Sequence, residues 1–181
     1  MSDDLMYFVE SDIMITIEGM GIVFCSERVA SSYEQDYDVF NNEFSRPEQV
    51  AKHVLKGDIT GFCTGSGGTY TLHFRDGYPD TSVKEIYDTM ARLGIEIRGG
   101  TMNIYDLFEL MEWNNNCPND RKLRIEDGFY HITLCTCRPT SGIIGDNQEI
   151  YVYLNRLDSM PILKYSGVPQ LIPPTKSSDN S

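Results

Sequence analysis

The sequence predicts an α+β fold: an antiparallel or mixed β-sheet built from hairpins, with about three helices packed on it. Two observations carry this expectation. Apolar residues alternate with polar ones at Ile13, Ile15 and Ile17, at Tyr70, Leu72 and Phe74, and at Tyr130, Ile132 and Leu134, the period of half-buried strands. The strand-like runs also follow one another in pairs across short Gly-rich or polar connections. That order argues against the strand–helix–strand units of a doubly wound sheet.

Along the chain, Ile13–Ile17 and Ile22–Cys25 read as a hairpin around Glu18-Gly19-Met20-Gly21. Residues 31–44, SSYEQDYDVFNNEF, show no period and read as a loop. A helix follows, with Ser45 at its N-cap, Pro47 in its first turn, Glu48 closing a capping box and Gly57 ending it. Ile59–Cys63 and Thr69–Phe74 are expected as two strands joined by Thr64–Gly68. Ser82 and Glu85 form a second capping box, and Val83, Ile86, Tyr87, Met90 and Leu93 make the apolar stripe of a helix closed by Gly94. Ile104, Leu107, Phe108 and Met111 predict a further helix from about Asn103 to Trp113. Leu123–Ile125, Phe129–Cys137 and Glu149–Leu154 are expected strands. The core is expected to hold Tyr70, Leu72, Phe74, Ile86, Met90, Ile132, Leu134, Val152 and Leu154.

The 181 residues, 40% apolar and 23% charged, suit one domain over residues 1–172 with a polar, disordered tail over 173–181. Five cysteines, an odd number, and an N-terminus without a basic or apolar leader point to free thiols and a cytoplasmic setting. No run of eighteen apolar residues predicts a membrane span. The net charge of −12 is uneven: residues 1–44 carry ten acidic groups and one basic group, Arg28. Such a field repels nucleic acid and anionic membrane and attracts a basic protein.

Motifs for chemistry are sparse. Gly61-Phe62-Cys63-Thr64-Gly65 matches the spacing of a nucleophile elbow, but a Gly-rich stretch and a strand follow where a helix is required. Cys135-Thr136-Cys137 puts two thiols on one strand face with His131, without the further ligands a zinc site needs. The loop Gly65-Ser66-Gly67-Gly68 lacks the lysine of a phosphate-binding loop. No cofactor and no metal are therefore expected. The alternative to a binding protein is a cysteine-dependent enzyme, with Cys63 or Cys135 as nucleophile and His73 or His131 as base.

The most distinctive segment runs from Tyr33 to Phe44. It interleaves Glu34, Asp36, Asp38 and Glu43 with Tyr33, Tyr37, Phe40 and Phe44, and holds no basic residue. The acidic spacing does not fit a calcium-binding EF-hand loop. Aromatic residues anchor interfaces and carboxylates steer basic partners, so these eight residues are the expected partner-binding site. In its small size, acidity, mixed α and β elements and this acidic-aromatic run, the chain resembles the cytosolic immunity proteins that neutralise bacterial antagonistic toxins. That resemblance implies a non-catalytic protein that occludes a basic partner, in its sharpest version a toxin domain that acts on nucleic acid.

Overall fold

The computed structural model describes residues 10–175. Its strands build two sheets with helices packed against them, so the α+β class holds. Strands β1 (Ser11–Ile17), β4 (Gly68–Asp76), β9 (Gln148–Leu157), β8 (Gly128–Thr136) and β5 (Thr89–Ile97) form a five-stranded sheet in that order. It is mixed, because β4 and β9 run parallel while every other neighbouring pair is antiparallel. Strands β3 (Ile59–Cys63), β2 (Gly21–Ser26), β6 (Thr101–Asp106) and β7 (Lys122–Arg124) form an antiparallel four-stranded sheet.

The inward faces of the two sheets share the main core. Ile13, Tyr70, Leu72, Phe74, Ile132, Leu134, Val152 and Leu154 from the larger sheet meet Ile22, Phe24, Phe62, Met102 and Ile104 from the smaller one. Period-two side chains interdigitate between stacked sheets in this way. A second core lies on the opposite face of the smaller sheet. There Val23, Cys25, Ile59 and Tyr105 pack with Ala30, Val39, Phe44, Leu110 and Trp113.

Three helices and three shorter helical turns, the shortest at Asn119–Arg121, surround the sheets. Helix α1 is Glu27–Ser32, α2 is Pro47–Lys56 and α3 is Thr81–Ile86. Phe40–Phe44 is a π-helical turn, and Leu107–Met111 is a 3₁₀ turn. Helix α2 ends at Gly57 as expected, in the left-handed region at φ 77°, with its N–H donating to His53 O and Val54 O. The Gly57 carbonyl then accepts from Glu96 N at 2.8 Å and docks the helix on β5.

Several sequence expectations are corrected. Ile13–Ile17 and Ile22–Cys25 are strands but not a hairpin, because the turn between them crosses from one sheet to the other. The Asp106 carboxylate holds that crossing by accepting from Glu18 N at 2.8 Å and Gly19 N at 3.1 Å. The strands at 59–63 and 68–76 likewise belong to different sheets. The cap of α2 is shifted by one residue: Gln49, not Glu48, folds back to accept from Ser45 N and Arg46 N.

The helix expected over Ser82–Leu93 stops at Ile86, capped by Asp80, which accepts from Val83 N at 3.0 Å. From Thr89 the chain is β5, paired with β8 over nine residues. Ala91, Leu93, Ile95 and Ile97 alternate into the core, so period-two burial overrides the i, i+3 spacing of Met90 and Leu93. Gly94 is not a helix cap. It lies in mid-strand, where a Cβ would come within 2.7 Å of Pro161 and 2.8 Å of Met160. Ile86 is exposed and Met90 half-buried, so neither belongs to the core. The helix expected over Asn103–Trp113 is strand β6 followed by the 3₁₀ turn. The segment 31–44 is not wholly loop, since it contains the end of α1 and the π-helical turn. Of the expected tail, residues 176–181 lie outside the described residues, as does the N-terminal Met-Ser-Asp-Asp. Pro173 and Pro174 offer their carbonyls to the Arg138 guanidinium at 3.1 and 3.2 Å.

Among the described residues no helix is long and apolar enough to cross a membrane. On the outer face of the larger sheet, His73 bridges Asp12 at 2.8 Å and Glu149 at 3.3 Å, tying β1 through β4 to β9. The hydrogen bond from His73, then that from Arg75, holds the Asp12 carboxyl below its ordinary value. A depressed carboxyl stabilises the fold above its unfolded value, and that contribution fades as pH falls through the folded one. The Asp12→Asn variant is therefore expected to melt below the parent at pH 7, with the gap closing below pH 3.8, the ordinary value. Melting temperature against pH tests this, and a gap that stayed constant would contradict it.

Candidate functional site

The segment Tyr33–Phe44 is short of regular structure, so neighbouring elements hold it. Its attachment is the chain after the 3₁₀ turn. Asp36 N donates to Trp113 O at 2.8 Å, Trp113 N donates to Tyr37 O at 3.1 Å, and Asn115 N donates to Gln35 Oε1 at 3.1 Å. Trp113 itself is buried against the smaller sheet, with its indole N–H donating to Ala30 O at 2.9 Å. Tyr33 stacks on Tyr37 at 5.7 Å and meets the Trp113 ring edge-on at 5.5 Å. The acidic segment is thus anchored through its aromatic rings to the second core.

The eight expected site residues divide by exposure. Glu34 and Asp36 are exposed; Tyr33, Tyr37, Asp38, Phe40 and Glu43 are half-buried; Phe44 is buried. Asp36 sits at φ 67°, in the left-handed region that Asp and Asn tolerate. Asp38 turns inward on its own chain and accepts from Asn41 N at 2.9 Å and Asn41 Nδ2 at 2.7 Å. Those two bonds hold its carboxyl below the ordinary value. Tyr33 donates its hydroxyl to Glu43 at 3.1 Å, and burial followed by the Glu43 charge pushes that hydroxyl well up. Glu43 also faces His53 Nε2 at 3.4 Å, while His53 Nδ1 meets Asp58 at 2.8 Å. His53 was isolated in the sequence; the fold sets it between two carboxylates, one of them from the acidic segment.

The sequence reading missed the apolar part of this surface. Phe108 is 50% and Met111 40% exposed, on the 3₁₀ turn that leads into Trp113. Met20, 60% exposed, sits on the neighbouring crossing, where a Cβ on Gly19 would lie 3.1 Å from the Phe108 ring. Glu112, between Met111 and Trp113 in the chain, is exposed as well. A signal for this was present at Asp106 and Glu109. Glu109 accepts from Asp106 N at 3.0 Å, and Asp106 accepts from Phe108 N at 3.2 Å. Such a box marks the start of a helical turn, so it separates Phe108 and Met111 from the strand that carries Ile104.

The cysteine and histidine pairs considered for catalysis do not come together. His73 is engaged by Asp12 and Glu149, and His131 by the Tyr78 hydroxyl at 3.0 Å. No hydrogen bond joins a thiol to a histidine among the described residues. Burial pushes the thiols of Cys25, Cys63, Cys117, Cys135 and Cys137 up, away from the reactive thiolate. Among the described residues no group of three or more His, Cys, Asp or Glu side chains is placed to hold a metal ion.

No family model matches the chain, and no curated protein does either. Two solved structures share its fold. One is described as crocagin biosynthetic gene J, with a TM-score of 0.51 and 12% identity over 80% of this chain and 97% of that one. The other is ComJ from Bacillus subtilis, described as an inhibitor of the DNA-degrading activity of NucA. It matches with a TM-score of 0.51 and 11% identity over 83% of this chain and 98% of that one. At such identities the likeness is one of fold, and it spans nearly the whole of both neighbours.

Proposed function

We propose that this protein is a non-catalytic inhibitor that occludes a basic protein partner with its acidic, aromatic-anchored face. In its sharpest form it is a cytoplasmic immunity protein that neutralises a bacterial toxin. One observation carries the reading: the segment with exposed Glu34 and Asp36 is clamped by the Asp36–Trp113 and Trp113–Tyr37 backbone bonds to the segment that carries exposed Phe108, Met111 and Glu112. Carboxylates give long-range attraction, apolar side chains give short-range burial, and a clamped surface pays little ordering entropy on binding. The fold shared with ComJ, whose description is that of a nuclease inhibitor, supports the same reading. An enzyme that holds phosphates needs a basic surface, and an acidic inhibitor can occupy it.

The test is capture of a partner at low salt, followed by association kinetics. The Glu34→Gln, Asp36→Asn and Glu112→Gln variants, combined, remove three negative charges, and Asp36→Asn keeps an Oδ1 to accept from Gln35 Nε2. Association is expected to slow by about tenfold or more and to lose much of its salt dependence. Phe108→Ala is expected to act instead on dissociation. A captured partner that binds all these variants as it binds the parent would place the interface elsewhere.

A further inference from the structure

A second concave surface opens beside the acidic segment, between α1, α2 and the end of β5. It is a cleft of about 550 Å³, within the size range of small-molecule sites. Its charges decide what it can hold. Each of its carboxylates already has a partner: Glu43 takes the Tyr33 hydroxyl and His53, Asp58 takes His53 and Ile59 N, and Glu96 takes the Arg98 guanidinium at 2.7 Å. Lys56 lies 3.7 Å from Asp58. Two cations remain: Arg28 and Lys52 line the cleft, and neither side chain forms an ion pair or hydrogen bond among the described residues. In a chain of net charge −12, the surplus in this concavity is positive.

A buried polar group lies at the floor. Ser26 lines the cleft, is fully buried, and its hydroxyl has no hydrogen-bond partner. Buried hydroxyls are nearly always paired, and this one does not cap the helix it precedes. His53 has both ring nitrogens facing carboxylates, Glu43 at 3.4 Å and Asp58 at 2.8 Å.

We infer that this cleft binds a small dianionic molecule, a phosphate monoester or a dicarboxylate, with Arg28 and Lys52 pairing its charges above the Ser26 floor. Arginine suits bidentate contact with an oxyanion and lysine supplies a point charge. The inference does not depend on the partner surface, although Tyr33 and Glu43 border both. Calorimetric titration of the full chain at low ionic strength tests it, with glucose 6-phosphate and succinate as probes and glucose as the neutral reference. Saturable binding of one dianion or both, and none of glucose, is expected; the preferred dianion identifies the ligand chemistry. The Arg28→Ala/Lys52→Ala variant, which changes two exposed side chains, should weaken binding by at least about tenfold, about 1.4 kcal/mol. Lys164→Ala, outside the cleft, should not change it. Failure of both dianions to bind saturably, or equal affinity in the double variant, would overturn the inference.

Discussion

The Trp113→Ala variant is expected to lose about 3–5 kcal/mol of folding stability, the range for truncating a buried Trp or Phe. The indole is 1% exposed. Its ring lies 4.5 Å from that of Tyr105 and 5.5 Å from that of Tyr33, so removing it leaves a cavity lined by aromatic rings. It also strips the Ala30 carbonyl of its 2.9 Å donor, and a buried acceptor left unpaired adds its own cost. The backbone at 113 clamps Asp36 and Tyr37, so faster amide exchange over residues 33–39 should accompany the loss. Trp113→Phe, which keeps most of the volume and loses only the N–H bond, should fall well short of the alanine variant. Urea unfolding measures both, and a loss below about 1 kcal/mol for Trp113→Ala would remove Trp113 as the anchor of the acidic face.

Leu134→Ala is expected to cost about 2–5 kcal/mol, and Ile86→Ala to stay within about 0.5 kcal/mol. Both residues lie on apolar periodic runs in the sequence. In the fold Leu134 is fully buried between the two sheets, whereas Ile86 is 65% exposed at the end of α3. The same chemical truncation thus leaves a cavity at one position and a solvated methyl at the other. Denaturant midpoints of the two variants, measured side by side, test this. Equal losses would mean that the outer face of the larger sheet is covered in a way the burial pattern does not show.

Part of the partner surface was legible without coordinates. The run Tyr33–Phe44 stands out by composition alone, because carboxylates without local cations carry their charge wherever the chain goes. Its division into exposed Glu34 and Asp36, inward-turned Asp38 and buried Phe44 was not legible. That division depends on where Trp113, nearly seventy residues further on, comes to rest. Phe108 and Met111 were hidden for a related reason. Their spacing with Ile104 imitates a helix, and only the pairing of β6 with β2 and β7 reveals that the chain is extended up to Asp106.

Alternation of period two was enough to find four of the five strands of the larger sheet, β1, β4, β8 and β9, because the faces of a strand are set by its own residues. It named Tyr70, Leu72, Phe74, Ile132, Leu134, Val152 and Leu154 as core, and all seven are buried. Local turn chemistry was enough to end α2 at Gly57, since a left-handed residue closes a helix whatever lies around it. Which strand lies beside which was beyond local reading. The chain crosses between sheets after Ile17 and again after Cys63, where short Gly-containing connections look like hairpin turns. A crossing and a hairpin can use the same few residues, and the choice between them rests on long-range burial: β1 pairs with β4, and β2 with β3 and β6. The same holds for Thr89–Ile97, whose spacing suits a helix and a strand alike. Nine backbone pairings with β8, and the burial of Ala91, Leu93, Ile95 and Ile97 between the sheets, outweigh any local helical preference.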